Sequence, residues 1–518
     1  MPGQESHPVK SFIAKFTVMR GSPREMWIIY LTKVLEIIAY GLMSSTLVLW
    51  LSSDLGYSDT AAGDTIAIWS TVLTLVTVLV GSLVDSIGIK KSFLAGFLLC
   101  FGSRAVMTAT STEWIAIVFG LFPLAVGLAM MVPVMNAALK IYSTVKQRTM
   151  AFALFYTLMN VGFAIAGWLF DFVRAELGEY GTQTLLGMEL STYRVLFFWA
   201  TVATLPGLII TWLFMREGVE ATEGGITIRT KEPKYKDRSL VTGTALSIRD
   251  AAVDTAKTFV SVWRQPTFYR FLGFLALVTM IRLVFYHMHY TFPKYGIREL
   301  GDGAPIGQLW SVLNPVIIVV LVPLVGALSG RFRAYSMIAI GSSLAALPVF
   351  FLAMPREWFQ GLADGWLGHL IAHQWLGVEG PVNPLYVSIT IFVVLFSIGE
   401  AIWSPRLYEY TAAIAPTGRE GSYMALSLLP YFVAKLFVGM LSGRLLEAYC
   451  PAEGPRDAEF MWLLIALMSL TCPVGIIVFR KYIRSHEAGR DDEEEVEAGA
   501  ATTPAAGEAP PLGDDEAP

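Results

Sequence analysis

From Met26 to Arg480 the chain consists of roughly a dozen apolar runs, each about 20 residues long, separated by short polar stretches. A run of that length crosses the hydrocarbon core of a bilayer, about 30 Å thick, as a single helix. Lipid offers no partner to backbone N–H and C=O groups, so such runs must pair them internally and be helical. The composition agrees, with 54% of residues hydrophobic and only 15% charged. The pattern predicts an all-α polytopic membrane protein whose first partner is the lipid bilayer. No nucleic-acid partner is expected.

The runs place spans near residues 26–50, 64–86, 92–110, 114–136, 150–172 and 193–215, then 268–290, 306–329, 335–354, 385–407, 422–444 and 459–480. A polar, basic segment, 217–265, divides them six and six. The expected domains are an N-terminal segment (1–25), a first six-helix bundle (26–215), a linker (216–266), a second six-helix bundle (267–484) and a tail (485–518). The N-terminal segment has no apolar core of its own, so the first span is expected to direct insertion. Lys10, Lys15, Arg20 and Arg24 precede span 1; Lys90 and Lys91 join spans 2 and 3; Lys146 and Arg148 join spans 4 and 5. The loop 52–63 carries no Lys or Arg. The positive-inside rule then puts both termini in the cytoplasm, and the plasma (cell inner) membrane is the expected location.

Two further segments have a pattern of their own. In the linker, Ile248, Ala252, Phe259 and Trp263 fit an amphipathic helix, and in the insert 355–383 Trp358, Leu362, Trp366 and Leu370 recur every four residues. The second pattern predicts a helix lying in the membrane interface. The tail, rich in Ala, Pro, Asp and Glu, reads as disordered. Cys100, Cys450 and Cys472 form no close pair and belong to no CxxC or mixed Cys/His ligand spacing, so neither a disulfide framework nor a zinc site is expected. No metal or cofactor is expected. With no G-x-x-x-x-G-K-[ST] loop, ATP-driven chemistry is disfavoured, and no nucleophile–histidine set supports an intramembrane enzyme.

The two halves echo each other. Span 2 ends in Gly81-Ser82-Leu83-Val84-Asp85-Ser86-Ile87-Gly88-Ile89-Lys90-Lys91, and span 8 in Gly326-Ala327-Leu328-Ser329-Gly330-Arg331-Phe332-Arg333. Asp85 can pair with basic loop groups there and hold one conformation shut. This 6+6 layout resembles the major facilitator superfamily, in which two halves rock around a site near the bilayer midplane. Within it, several stretches resemble the proton-dependent oligopeptide transporter family. Span 5 carries Phe155-Tyr156-Thr157-Leu158-Met159-Asn160-Val161-Gly162, matching F-Y-x-x-x-N-x-G. Span 8 carries Asn314-Pro315 and then Pro323. Span 10 reads Gly399-Glu400-Ala401-Ile402-Trp403-Ser404-Pro405, matching G-E-x-x-x-S-P. The chain departs from the family at its E-x-x-E-R motif, read here as Lys33-Val34-Leu35-Glu36-Ile37, and at a lysine before proline, read here as Val132-Pro133.

Charges at bilayer depth are costly and are functional candidates by default. Lys33 and Glu36, three apart, fit either a structural ion pair or a role toward substrate and protons. Glu400 is the leading proton-coupling group, with Glu36 as a relay and Lys435 of span 11 as the partner of Glu400. The resemblance implies that a cation binds a substrate carboxylate, and Arg282 or Lys33 is the candidate replacement for the missing one. It also implies polar and aromatic substrate contacts near Tyr286; Tyr40, Tyr156, Asn160, Trp310 and Asn314 complete the candidate substrate set. His287 or His289 could carry protons, since histidine titrates near neutral pH; for two histidines near a helix end the outer water interface is the favoured reading. The expected function is secondary transport, as proton-coupled symport of a small polar organic solute by a monomer. The alternatives are a proton-driven exporter and a transporter-like nutrient sensor.

Overall fold

The structure, a computed structural model, describes residues 19–222, 224–228, 266–328, 332–413 and 429–483, with isolated positions between 242 and 257. Among them stand twelve long helical segments: α1 (Arg24–Ser53), α2 (Asp59–Ile87), α3 (Ile89–Ala109), α4 (Glu113–Ile141), α5 (Val145–Leu177) and α6 (Thr192–Phe214), followed by α7 (Pro266–Tyr290), α8 (308–328), α9 (334–352), α10 (Pro384–Ala413), α11 (Leu429–Tyr449) and α12 (Ala458–Val478). Among the described residues ten of these helices are long and apolar enough to cross a membrane by length and composition. The protein is an integral membrane protein of the predicted all-α class, with two small hairpins in its loops. One pairs Thr182–Leu185 with Met188–Ser191 between α5 and α6, and the other pairs Val219–Thr222 with Gly225–Ile228 after α6. The linker helix expected around Ile248 to Trp263, the side chain of Asp85 and the acidic tail lie outside the described residues.

Within the first half α1 packs on α5 and α6, and α4 on α2 and α3; in the second, α10 packs on α8 and α9, and α7 on α11 and α12. Small residues set these distances, because between helices in lipid close backbone approach replaces the hydrophobic drive. Gly162 lets α5 settle on Ile37 of α1, where a Cβ would come within 2.8 Å of the isoleucine methyl. This gives the glycine of the span-5 motif a packing role. Gly399 does the same between α10 and α9, where a Cβ would lie 2.5 Å from the backbone nitrogen of Ala345. Glu400, one residue on and about 100° around the helix, faces elsewhere.

The halves meet along two seams, α2 against α11 and α5 against α8. At the end of the bundle opposite the chain termini, called distal here, both seams are bolted by charge. Asp59 at the start of α2 accepts from Lys294 at 2.6 Å and from Arg298 at 2.8 and 2.9 Å, both on a short helix, Phe292–Leu300, that follows α7. On the other seam, Asp171 of α5 accepts the backbone N–H groups of Gly307 at 2.9 Å and Gln308 at 2.6 Å, capping the start of α8. Arg174, fully buried, donates to Asp171, to Glu179 and, across the seam, to the carbonyl of Ala304 at 3.0 Å.

The insert between α9 and α10 is not the single helix that its four-residue repeat predicts. Asp364-Gly365 interrupts it, and it runs as short turns over Arg356–Phe359, Gln360–Ala363, Trp366–Gly368 and His369–Trp375. Trp358 and Trp366 are nonetheless 69% and 76% exposed, with Leu362 and Leu370 also exposed, so the apolar repeat does face outward.

Candidate functional site

Between the two halves lies a cavity of about 280 Å³, lined from α1, α2, α5, α7, α8, α10 and α11. Helical periodicity explains which side chains reach it. On α7 they are Arg282, Phe285, Tyr286, His289 and Tyr290, and on α5 Tyr156, Met159, Asn160 and Phe163, each set spaced by three or four residues along one face. Trp310, Ser311, Asn314 and Pro315 do the same on α8, where a wider π-turn at Gln308–Val312 opens the helix. α1 adds Tyr40 and Ser44, and α10 adds Glu400 and Ser404.

The polar core of the cavity is a short chain of contacts. The side-chain amide of Asn314 donates to Oε2 of Glu400 at 3.0 Å and to Oγ of Ser397 at 2.9 Å. Glu400 is nearly buried, and Arg282 lines the same cavity. That guanidinium reaches Ser404 Oγ at 3.3 Å and lies 4.7 Å from the centre of the Trp403 ring. Lys435 enters from α11 and places its Nζ 5.8 Å from the centre of the Tyr286 ring, a cation–π distance. Trp310 packs edge-on against Phe285 and His289, at 5.5 and 6.1 Å between ring centres. Among the charged residues lining the cavity, two cations face one carboxylate.

The structure thus brings together Tyr40, Tyr156, Asn160, Arg282, Tyr286, Trp310, Asn314, Glu400 and Lys435. Lys33 and Glu36 do not line the cavity. They pair with each other at 3.4 Å, both nearly buried, and the ammonium of Lys33 sits 5.0 Å from the Phe155 ring of α5. Tyr40, one turn beyond Glu36 on the same side of α1, does reach the cavity, so depth along the helix rather than its face separates them. Lys435 differs from a second expectation: its ammonium lies over the Tyr286 ring, and the side chain that holds Glu400 is Asn314. The histidines correct a third. His289 lines the cavity, while His287 is fully buried, with Nδ1 2.8 Å from Thr291 Oγ1. Ser44, Phe163, His289, Tyr290 and Ser404 were absent from the sequence-level set. Each lies three or four residues from a member of it or of the family motifs, and that periodicity is the signal that finds them.

Comparison with curated protein sequences gives no match. Solved structures are similar over most of both chains. A transporter of the POT family in complex with 5-aminolevulinic acid is 15% identical, with a TM-score of 0.66, over 89% of this chain and 97% of that one. One in complex with a thioalcohol-conjugated peptide is 16% identical with the same TM-score and coverage. A structure described under substrate recognition in proton-dependent oligopeptide transporters is 19% identical, with a TM-score of 0.60, over 89% and 97%. At these identities the likeness concerns the fold alone. The sequence profile of the Major Facilitator Superfamily matches residues 29–372, about two thirds of the chain. The chain is therefore a transporter rather than an enzyme and belongs to the Major Facilitator Superfamily.

Proposed function

We propose that the protein is a proton-coupled secondary transporter that carries a small organic anion, a solute bearing a carboxylate, by alternating access. The observation that carries this reading is the charge arrangement of the cavity: Glu400 held by Asn314, with Arg282 lining the same cavity and Lys435 over an aromatic ring. A substrate carboxylate would be drawn to Lys435 and would compete with Glu400 for Arg282. As the guanidinium turns to the substrate, Glu400 is left in a dry, ring-lined crevice, where a carboxylate takes up a proton. An anion that loads together with a proton leaves the net charge of the cavity unchanged. The loaded protein then buries no additional charge when it closes, and an uncompensated charge there is costly.

Orientation belongs to the same proposal. Lys90, Lys91, Lys146, Arg148, Arg480 and Lys481 gather at the end where α1 begins and α12 ends, which supports a cytoplasmic position for that end. The distal end would then face outward, and the conformation described is closed on that side. One chain encloses its own cavity, so a monomer suffices.

A thermal-shift panel of carboxylates, amino acids, short peptides and sugars identifies the solute, because a ligand of the folded state raises its melting temperature. With that solute, Glu400→Gln in proteoliposomes keeps the side-chain shape and removes its titration. We expect proton-gradient-driven uptake to be lost and counterflow exchange to persist. Driven uptake that equals wild type would overturn the coupling role.

A further inference from the structure

The insert between α9 and α10 holds a pair of side chains unrelated to the cavity. His369 and His373 occupy successive turns, with ring centres 5.0 Å apart and planes tilted by 60°. Both line an open surface hollow of about 460 Å³ at the distal end, together with Asp364 and Trp366. His369 is exposed and His373 half-buried. The Nδ1 of His373 lies 2.6 Å from the carbonyl oxygen of Val378. A carbonyl oxygen only accepts, so Nδ1 carries the proton and the lone pair is on Nε2. A backbone carbonyl that holds one ring nitrogen in this way fixes the tautomer and orientation of a metal-binding imidazole and raises its basicity.

The geometry points to a binding site for a divalent transition-metal ion of the zinc–copper–nickel class, held by the imidazoles of His369 and His373. Imidazole suits these ions, and hard cations such as Mg²⁺ take oxygen ligands instead. Ring centres 5.0 Å apart suit two imidazoles that share one ion at the usual metal–nitrogen distance of about 2.0–2.1 Å. Among the described residues no group of three or more His, Cys, Asp and Glu side chains is placed to hold a metal. The ion would therefore take two protein ligands and complete its shell with water. Asp364, which accepts from Gln360 at 2.7 Å through Oδ1, lines the same hollow and has a second oxygen that can accept from such a water.

Titration calorimetry of ZnCl₂ into the full-length protein, purified without a histidine tag in lipid nanodiscs, tests the site, with MgCl₂ as the hard-cation control. We expect one Zn²⁺ to bind per chain and no heat from Mg²⁺. His369→Ala and His373→Ala should each weaken Zn²⁺ binding by about 10- to 100-fold or more, since even outer-shell changes cost that much at metal sites. The variant His7→Ala/His486→Ala, which removes the histidines near the two termini, should bind as wild type. His369 is exposed, so its replacement leaves folding intact, and the melting temperature without metal checks this. Zn²⁺ affinity unchanged in both insert variants, or no Zn²⁺ binding at all, would overturn the site.

Discussion

Lys435 and Lys33 are both lysines in the apolar interior, yet their surroundings predict opposite phenotypes. Lys435 faces the cavity over the Tyr286 ring. Its replacement by Met should weaken binding of an anionic ligand by about 10- to 150-fold, the worth of a hydrogen bond to a charged group. A neutral ligand of similar size should bind as before, and equal losses for the two would reject the role. Lys33 is instead locked to Glu36 in the α1–α5 interface. Removing either partner strands a buried charge at a cost of about 3–5 kcal/mol. Lys33→Met and Glu36→Gln should therefore each lower the melting temperature, and the double variant should recover part of the loss. Additive losses, measured as a double-mutant cycle, would show that the pair is not coupled. The cavity was legible in the sequence wherever a motif fixed the face of a helix, as with Asn160, Asn314 and Glu400. It was not legible for Lys33, because Lys33, Glu36 and Tyr40 share one face of α1, and hydropathy does not say at which depth that face leaves the α5 contact and reaches the cavity.

At the scale of elements, span positions could be read from hydropathy, but helix lengths could not. α5 runs for 33 residues, well beyond what a bilayer core requires, because its last turns carry the Asp171 and Arg174 contacts of the distal seam. Its start is fixed by a capping box in which the Thr144 hydroxyl accepts from the Gln147 N–H while the Gln147 side chain accepts from that of Thr144. The interrupted insert has the opposite lesson. A four-residue repeat states which side chains share a face, and Asp364-Gly365 decides that they do so on separate turns. The α2–α11 seam depends on glycine in a way that can be tested. A Cβ on Gly443 would lie 2.2 Å from the carbonyl oxygen of Asp59 and 2.8 Å from Thr60 Cα, both backbone atoms with nowhere to go. Gly443→Val should wedge the distal end apart. Spin labels at Leu186 and Glu453, exposed on opposite halves, should then report a longer distance than in wild type. An unchanged distance would mean that the seam yields elsewhere.

At the scale of the whole molecule, the two halves share a cavity but are fastened at one end by contacts of different character. The Arg444–Asp64 pair, on the α11–α2 seam, has side chains 48% and 38% exposed. The Asp59–Lys294–Arg298 cluster is nearly sealed, at 10%, 4% and 13%. Mobile ions screen charges only where they can come between them, over about 8 Å at physiological ionic strength. Added salt therefore loosens the outer pair and leaves the inner cluster almost untouched. The closed end should be indifferent to the salinity of its surroundings, with its opening governed from inside the protein, by what the cavity holds.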